Sequence, residues 1–187
     1  MPILRSQPDI YPEGLFEGDG TEDDHDGRWW ALYTMSRREK DLMRRLRQME
    51  ISYYGPLIPF KNRSPQGRVR TSHVPLFPGY VFLQGDEDDR CQALTTKCIS
   101  RVLPVEDGRA LFADLAQVWR MIASDTPLSP EARLQAGMRV RIRNGSLAGV
   151  EGVVIQRRGQ DRLLVSIDFL QQGASVSLDD FCVERID

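Results

Sequence analysis

The chain has 187 residues, 41% hydrophobic and 28% charged, which suits one ordinary domain or two small ones with a packed core. No apolar run approaches the roughly 20 residues that span a bilayer, and the N-terminus lacks a signal peptide's basic and apolar blocks, so neither a membrane span nor a signal peptide is expected. Cys91, Cys98 and Cys182 are an odd set without CxxC spacing, which argues against a disulfide framework or a zinc site and fits a reduced cytoplasm.

The formal net charge of −2 hides an uneven distribution. Residues 1–27 hold Arg5 against eight acidic residues, with few large apolar side chains. Such a stretch buries too little surface to offset its ordering entropy, so it reads as a disordered acidic arm. Residues 28–70 reverse the sign, with eleven Lys or Arg against Glu39, Asp41 and Glu50. The arm is therefore expected to fold back over this basic segment and weaken nonspecific DNA binding at low salt.

Order is expected from Arg28. Trp29 to Met35 (WWALYTM) is an aromatic, apolar run of the kind found in buried strands. Ser36 is the expected N-cap of a helix, with Glu39 completing a capping box. That helix places Leu42, Met43, Leu46 and Met49 on one face and Arg37, Lys40, Arg44 and Arg47 on the other. Ser52 to Phe60 reads as a second strand. KNRSPQG is a turn-rich tip, and Arg68 to Val74 and Tyr80 to Gln84 are strands interrupted by Pro75 and Pro78.

Asp86 to Asp89 open a short helix reaching about Lys97, favoured by negative charge at its positive end. Ile99 to Val105 is a further strand and Ala110 to Phe112 a brief extended piece. Asp114 caps a last helix whose Leu115, Val118, Trp119 and Ile122 share a face. Asp125 to Ala136, with two prolines, is the expected linker. Beyond it MRVRIR (Met138 to Arg143) alternates as a half-buried strand does, and Gly152 to Gln156, Leu163 to Asp168 and Ala174 to Leu178 follow as short strands. About five strands in ~50 residues imply a closed or nearly closed barrel, because an open sheet that small leaves two bare edges.

Two stretches, VPLFPGYVFL (Val74 to Leu83) and GMRVRIRNGSLAGVEGVV (Gly137 to Val154), carry a resemblance to the NusG family of bacterial transcription elongation factors. In the first, Pro75 and Pro78 fix φ, Gly79 relieves crowding, and Tyr80 and Phe82 point to one side of a sheet. In the second, which resembles the KOW motif, Gly145, Gly149 and Gly152 punctuate a strand, turn and strand. The resemblance covers roughly residues 28–187. It implies an α+β chain: an N-terminal antiparallel sheet flanked by helices (NGN-like, 28–124), the linker 125–136, and a small SH3-like five-stranded β-barrel (KOW, 137–187).

The resemblance also implies a non-enzymatic function, and no P-loop, G-x-S-x-G, metal-ligand cluster or Cys–His neighbourhood suggests otherwise, so no cofactor or metal is expected. The family's N-terminal domain receives the clamp helices of the RNA polymerase β′ subunit in a hydrophobic depression, which here implies Tyr33, Tyr80 and Phe82, with Val102 and Pro104 at the rim. Its first helix lies beside upstream and non-template DNA, which implies Arg37, Lys40, Arg44, Arg45 and Arg47 as phosphate contacts. Its KOW domain binds a small-subunit ribosomal protein or Rho, which implies Val150, Phe169 and Leu170. Val150 stands where NusG has a Phe, a loss of contact area that argues against Rho.

The Thr-rich polymerase contact of the family is displaced here to Thr95 and Thr96 and is not assigned. A helical hairpin, which RfaH forms in its C-terminal region, is disfavoured by the β-branched Val140, Ile142, Val153, Val154, Ile155, Val165 and Ile167. The acidic arm and altered barrel contacts point towards a specialised RfaH-like paralogue. The expected chain is thus a cytoplasmic, monomeric elongation or antitermination factor. The competing reading is a KOW-containing ribosome- or RNA-binding protein, which leaves VPLFPGYVFL without a role.

Overall fold

A computed structural model describes residues 8–17, 28–63, 67, 69–124, 126, 128–131, 137–157, 159–179 and 181–186. The chain divides into two compact units, Met1–Gly108 and Arg109–Asp187. Among the described residues it is α+β, with antiparallel sheets and three α-helices.

The first unit is built on an antiparallel sheet ordered β1-β3-β6-β2-β7: β1 (Ile10–Tyr11), β2 (Arg28–Thr34), β3 (Ser52–Tyr54), β6 (Tyr80–Gly85) and β7 (Ile99–Pro104). Alternation along the strands divides their side chains between two faces. Leu32 pairs with Val81 and Val102, and Trp30 with Leu83 and Pro104, so these six share one face. Against that face pack Leu42, Met43 and Leu46 of α1 (Glu39–Gln48) and Ala93 of α2 (Glu87–Thr95), forming one apolar cluster. Ala31 pairs with Phe82, and Tyr33 with Tyr80, on the other face. The expected second strand is two strands, β3 and β4 (Leu57–Arg63), broken at Gly55-Pro56 where Pro supplies no N–H to a ladder.

The expectation of a disordered arm fails for residues 8–17; residues 1–7 and 18–27 lie outside the described residues. Ile10 and Tyr11 pair with Tyr54 and Tyr53 at the sheet edge, and Gly55 N–H donates to Asp9 O at 2.7 Å. Ile10, Leu15 and Phe16 are buried, and the Phe16 ring meets Tyr54 edge-on at 5.0 Å. Acidic composition masked a short apolar set that a bare sheet edge could pair and cover. Phe16→Ala should therefore cost about 3 kcal/mol in a urea titration followed by circular dichroism; a loose arm would give no change.

α1 begins later than expected. Ser36 is not its cap: Arg38 is, with no side-chain cap hydrogen bond, and Arg37 precedes it at φ 59°. Glu39 Oε1 instead accepts from Gly79 N–H at 2.8 Å, a tertiary partner that outcompetes a local capping box. α2 follows its local chemistry, with Asp86 as N-cap and Asp89 closing the box.

The second unit opens with nearly all of α3 (Gly108–Ala123), which absorbs the expected extended piece at Ala110 to Phe112 and starts ahead of Asp114. Leu111, Leu115, Val118 and Met121 are its buried residues. Its sheet runs β13-β9-β10-β11-β12-β8: β8 (Ser129–Glu131), β9 (Met138–Ile142), β10 (Glu151–Arg157), β11 (Gln160–Ile167), β12 (Gln172–Ser177) and β13 (Val183–Arg185). β8 falls inside the expected linker and pairs with β12, so this sheet has six strands rather than five. Among the described residues no ladder joins β13 to β8, so closure of the sheet is not seen. Gly149, at φ 87°, makes the β9–β10 turn, and a Cβ on Gly152 would collide with the Leu164 carbonyl. Val140, Ile142, Ile155, Val165 and Ile167 are buried strand residues, as their branching favours.

Candidate functional site

Leu76 and Phe77 are buried and pin the segment between β5 (Val69–Pro75) and β6. The chain then turns through Pro78 and Gly79, with Tyr80 N–H donating to Phe77 O at 3.1 Å and Thr34 N–H to Gly79 O at 2.7 Å. Gly79 sits at φ 85°, and a Cβ there would stand 2.9 Å from Tyr33 Cε2. Glycine is thus required twice over, by conformation and by the ring against it. The result is a pair of rings, Tyr33 and Tyr80, with centroids 5.1 Å apart and planes tilted by 59°. Tyr33 is 42% exposed and Tyr80 half-buried.

The other three expected docking residues are placed differently. Phe82 shares the face of the tyrosines but is fully buried, edge-on to Phe77 at 6.3 Å. It offers no surface to a partner. Val102 and Pro104 lie on the opposite face; Val102 packs against the apolar cluster under α1 and α2. The register across β2 and β7 puts Arg101, exposed, opposite Tyr33 on the tyrosine face. Sequence reading missed Arg101, although odd–even alternation within ISRVLP separates it from Val102.

The basic residues of α1 are exposed, but Asp41 engages three of them: Arg38 at 3.0 Å, Arg45 at 3.5 Å and Arg44 at 3.6 Å. Cys98 Sγ donates to the same carboxylate at 3.4 Å. Partial burial works to raise the Asp41 pKa, but Cys98, Arg38, Arg45 and Arg44 together hold it below the usual carboxylate range. Asp41 is therefore ionised at neutral pH and offsets part of the helix's positive charge. Asp41→Asn should raise affinity for a DNA duplex severalfold at 50 mM salt and steepen the salt slope by up to about 0.9. Titration by fluorescence anisotropy checks this; unchanged affinity would mean that α1 does not meet phosphate.

Lys40 Nζ donates to His73 O at 2.5 Å, fastening α1 to β5. Arg44 and Arg47 line a cleft of about 420 Å³ with Gln48, Tyr53 and Pro8. Tyr53 O–H donates to Pro8 O at 3.1 Å, and burial pushes its pKa up to about 12. The beginning of the described arm is thus at the edge of the basic helix.

In the second unit Val150 is fully buried, so its expected contact role has no exposed surface. Phe169 is exposed and Leu170 half-buried, on a 3-10 turn spanning Asp168–Leu170. Two α3 side chains engage the amides beside these positions: Glu151 N–H donates to Gln117 Oε1 at 2.7 Å and Asp168 N–H to Asp114 Oδ2 at 3.2 Å. Among the described residues no cluster of His, Cys, Asp or Glu is placed to hold a metal ion, and no helix is long and apolar enough to cross a membrane.

The antiparallel sheet of this α+β unit thus carries helices on one face and a propped, exposed aromatic pair at the end of the other. The family model described as "Transcription termination factor nusG" matches residues 27–124, just over half of the chain, and the chain belongs to the NusG family. No curated protein matches it. Members of this family are non-enzymatic transcription factors that interact with RNA polymerase.

Proposed function

We propose that the chain is a transcription elongation or antitermination factor that docks on the β′ clamp helices of RNA polymerase through Tyr33 and Tyr80. The exposed ring pair, propped by Gly79 within VPLFPGYVFL, carries the reading. Two aromatic rings side by side give a large contact area at low entropy cost, which is what interface hot spots use. Arg101 beside them adds a cation to the same face. The exposed cations of α1 serve as phosphate contacts to upstream or non-template DNA.

The domains proposed are an NGN-like domain over 28–124, a connection over 125–136, and a KOW domain over 137–187 folded as an SH3-like barrel. Phe169 and Leu170 are its partner contacts, with a small-subunit ribosomal protein the favoured occupant. The protein acts as a cytoplasmic monomer and as a specialised RfaH-like paralogue. Pull-down of the tagged chain against core RNA polymerase and against ribosomal subunits tests the central claim. Retention of polymerase supports it; capture of ribosomes alone hands the function to the RNA- or ribosome-binding alternative. Genome-wide occupancy at a few loci, rather than at all transcribed genes, is the result expected of a specialised paralogue.

A further inference from the structure

Tyr54 stands opposite Phe82 on β6, and Phe82 opposite Ala31 on β2, so the three make one row on the tyrosine face. The next row on that face is Tyr80 with Tyr33 and Arg101, two residues along the strands and about 7 Å away. Three tyrosines are therefore near neighbours here. Tyr33 and Tyr80 reach solvent, whereas Tyr54 is completely buried, with the Phe16 ring edge-on to it at 5.0 Å. The Tyr54 hydroxyl has no hydrogen-bond partner. A buried tyrosine normally brings its O–H to a partner, and one left unpaired is destabilising. A phenylalanine would fill the same space without that penalty, so core packing alone does not account for Tyr54.

The segment that carries Phe16 is attached unevenly. β1 is fixed by its ladder with β3, by Gly55 N–H on Asp9 O and by Tyr53 O–H on Pro8 O. Beyond it, residues 12–17 fold into two turns closed on themselves, with Leu15 N–H donating to Pro12 O at 3.1 Å and Glu17 N–H to Gly14 O at 2.9 Å. Leu15 and Phe16 are the side chains this segment buries, whereas Pro12, Glu13, Gly14 and Glu17 are exposed. Its outer surface thus presents two carboxylates and no large apolar side chain. Charge of that kind is depleted at the centre of interfaces, so the segment interrupts an aromatic docking surface rather than extending it. It also lies outside residues 27–124, the part shared with the family.

We propose that Tyr54 is a third polymerase-docking residue, held under Phe16 in the free chain and uncovered when the β′ clamp helices displace residues 12–17. The inference rests on the docking role of Tyr33 and Tyr80. Displacement gives the Tyr54 hydroxyl the partner or water that it lacks when covered, and joins its ring to the tyrosine pair. In the free chain the cover lowers apparent affinity in proportion to the fraction of time it lies down.

The experiment measures binding of the full chain to core RNA polymerase, for the unaltered protein and three variants, each paired with a urea titration. Leu15→Ala with Phe16→Ala is expected to unfold at lower urea yet bind polymerase at least about tenfold more tightly, because the open face is no longer contested. A merely structural segment would lower stability without any gain in affinity, and that result overturns the proposal. Tyr54→Phe is expected to unfold at higher urea and to bind about fivefold more weakly, through loss of one hydroxyl hydrogen bond. Unchanged affinity removes Tyr54 from the interface. Tyr33→Ala with Tyr80→Ala keeps the two readings apart. If it binds as the parent does, the docking reading itself falls; if it alone changes affinity, only the masked tyrosine falls. Hydrogen exchange on the unaltered chain avoids any folding defect: polymerase should speed exchange at the Leu15 and Glu17 amides, and unchanged or slower exchange at saturating polymerase refutes displacement.

Discussion

Replacing Tyr33 and Tyr80 together with alanine should reduce affinity for core RNA polymerase about 30-fold or more and leave the first unit folded. A hot-spot ring contributes at least about 2 kcal/mol, and each 1.4 kcal/mol is a factor of ten. The cost to folding is small because Tyr33 already gives 42% of its surface to solvent and Tyr80 is only half-buried. Binding titration with core enzyme, paired with a thermal melt, separates the two effects. Gly79→Ala should act in the same direction, since its Cβ would displace the Tyr33 ring. An affinity within twofold of the parent for the double variant would remove the tyrosines from the interface.

Phe82→Ala should behave in the opposite way, costing about 3–5 kcal/mol of stability. Phe82 has no exposed surface, packs edge-on against Phe77, and stands between Ala31 and Tyr54 in the sheet register. Domains of this size have only about 5–15 kcal/mol in hand, so the variant should be marginal at 37 °C. At a temperature where it remains folded it should bind polymerase as the parent does. Urea denaturation measures the loss. A change below about 1 kcal/mol would contradict the burial and return Phe82 to the docking surface.

These two residues show where sequence reading reached its end. Alternation correctly put Tyr80 and Phe82 on one side of a strand, because side-chain direction is a property of the local backbone. Which of them is covered depends on Leu76 and Phe77 returning over the sheet, and no periodicity encodes that. The family resemblance implies Val102 and Pro104 at the rim of the same depression. The pairing of Tyr33 with Arg101 places them on the opposite face, and register between strands nearly 70 residues apart is a tertiary outcome. Alternation within ISRVLP separates Arg101 from Val102, but only the pairing with Tyr33 puts Arg101 on the tyrosine face.

Features governed by short-range chemistry were legible in the residues alone. The Asp86–Asp89 capping box started α2 where expected, Leu42, Met43 and Leu46 made one buried helix face, and alternation with β-branched residues marked β9 to β12. The turn at Gly149 and the motif VPLFPGYVFL were legible too, since glycine and proline act through their own φ. Long-range packing, by contrast, set Glu39 on Gly79 rather than on a local cap, joined β8 to β12, and laid Ile10, Leu15 and Phe16 along the sheet edge. Each of those depends on a partner distant in sequence, and the burial or hydrogen bond that such a partner supplies outweighs the few tenths to about 1 kcal/mol of local preference.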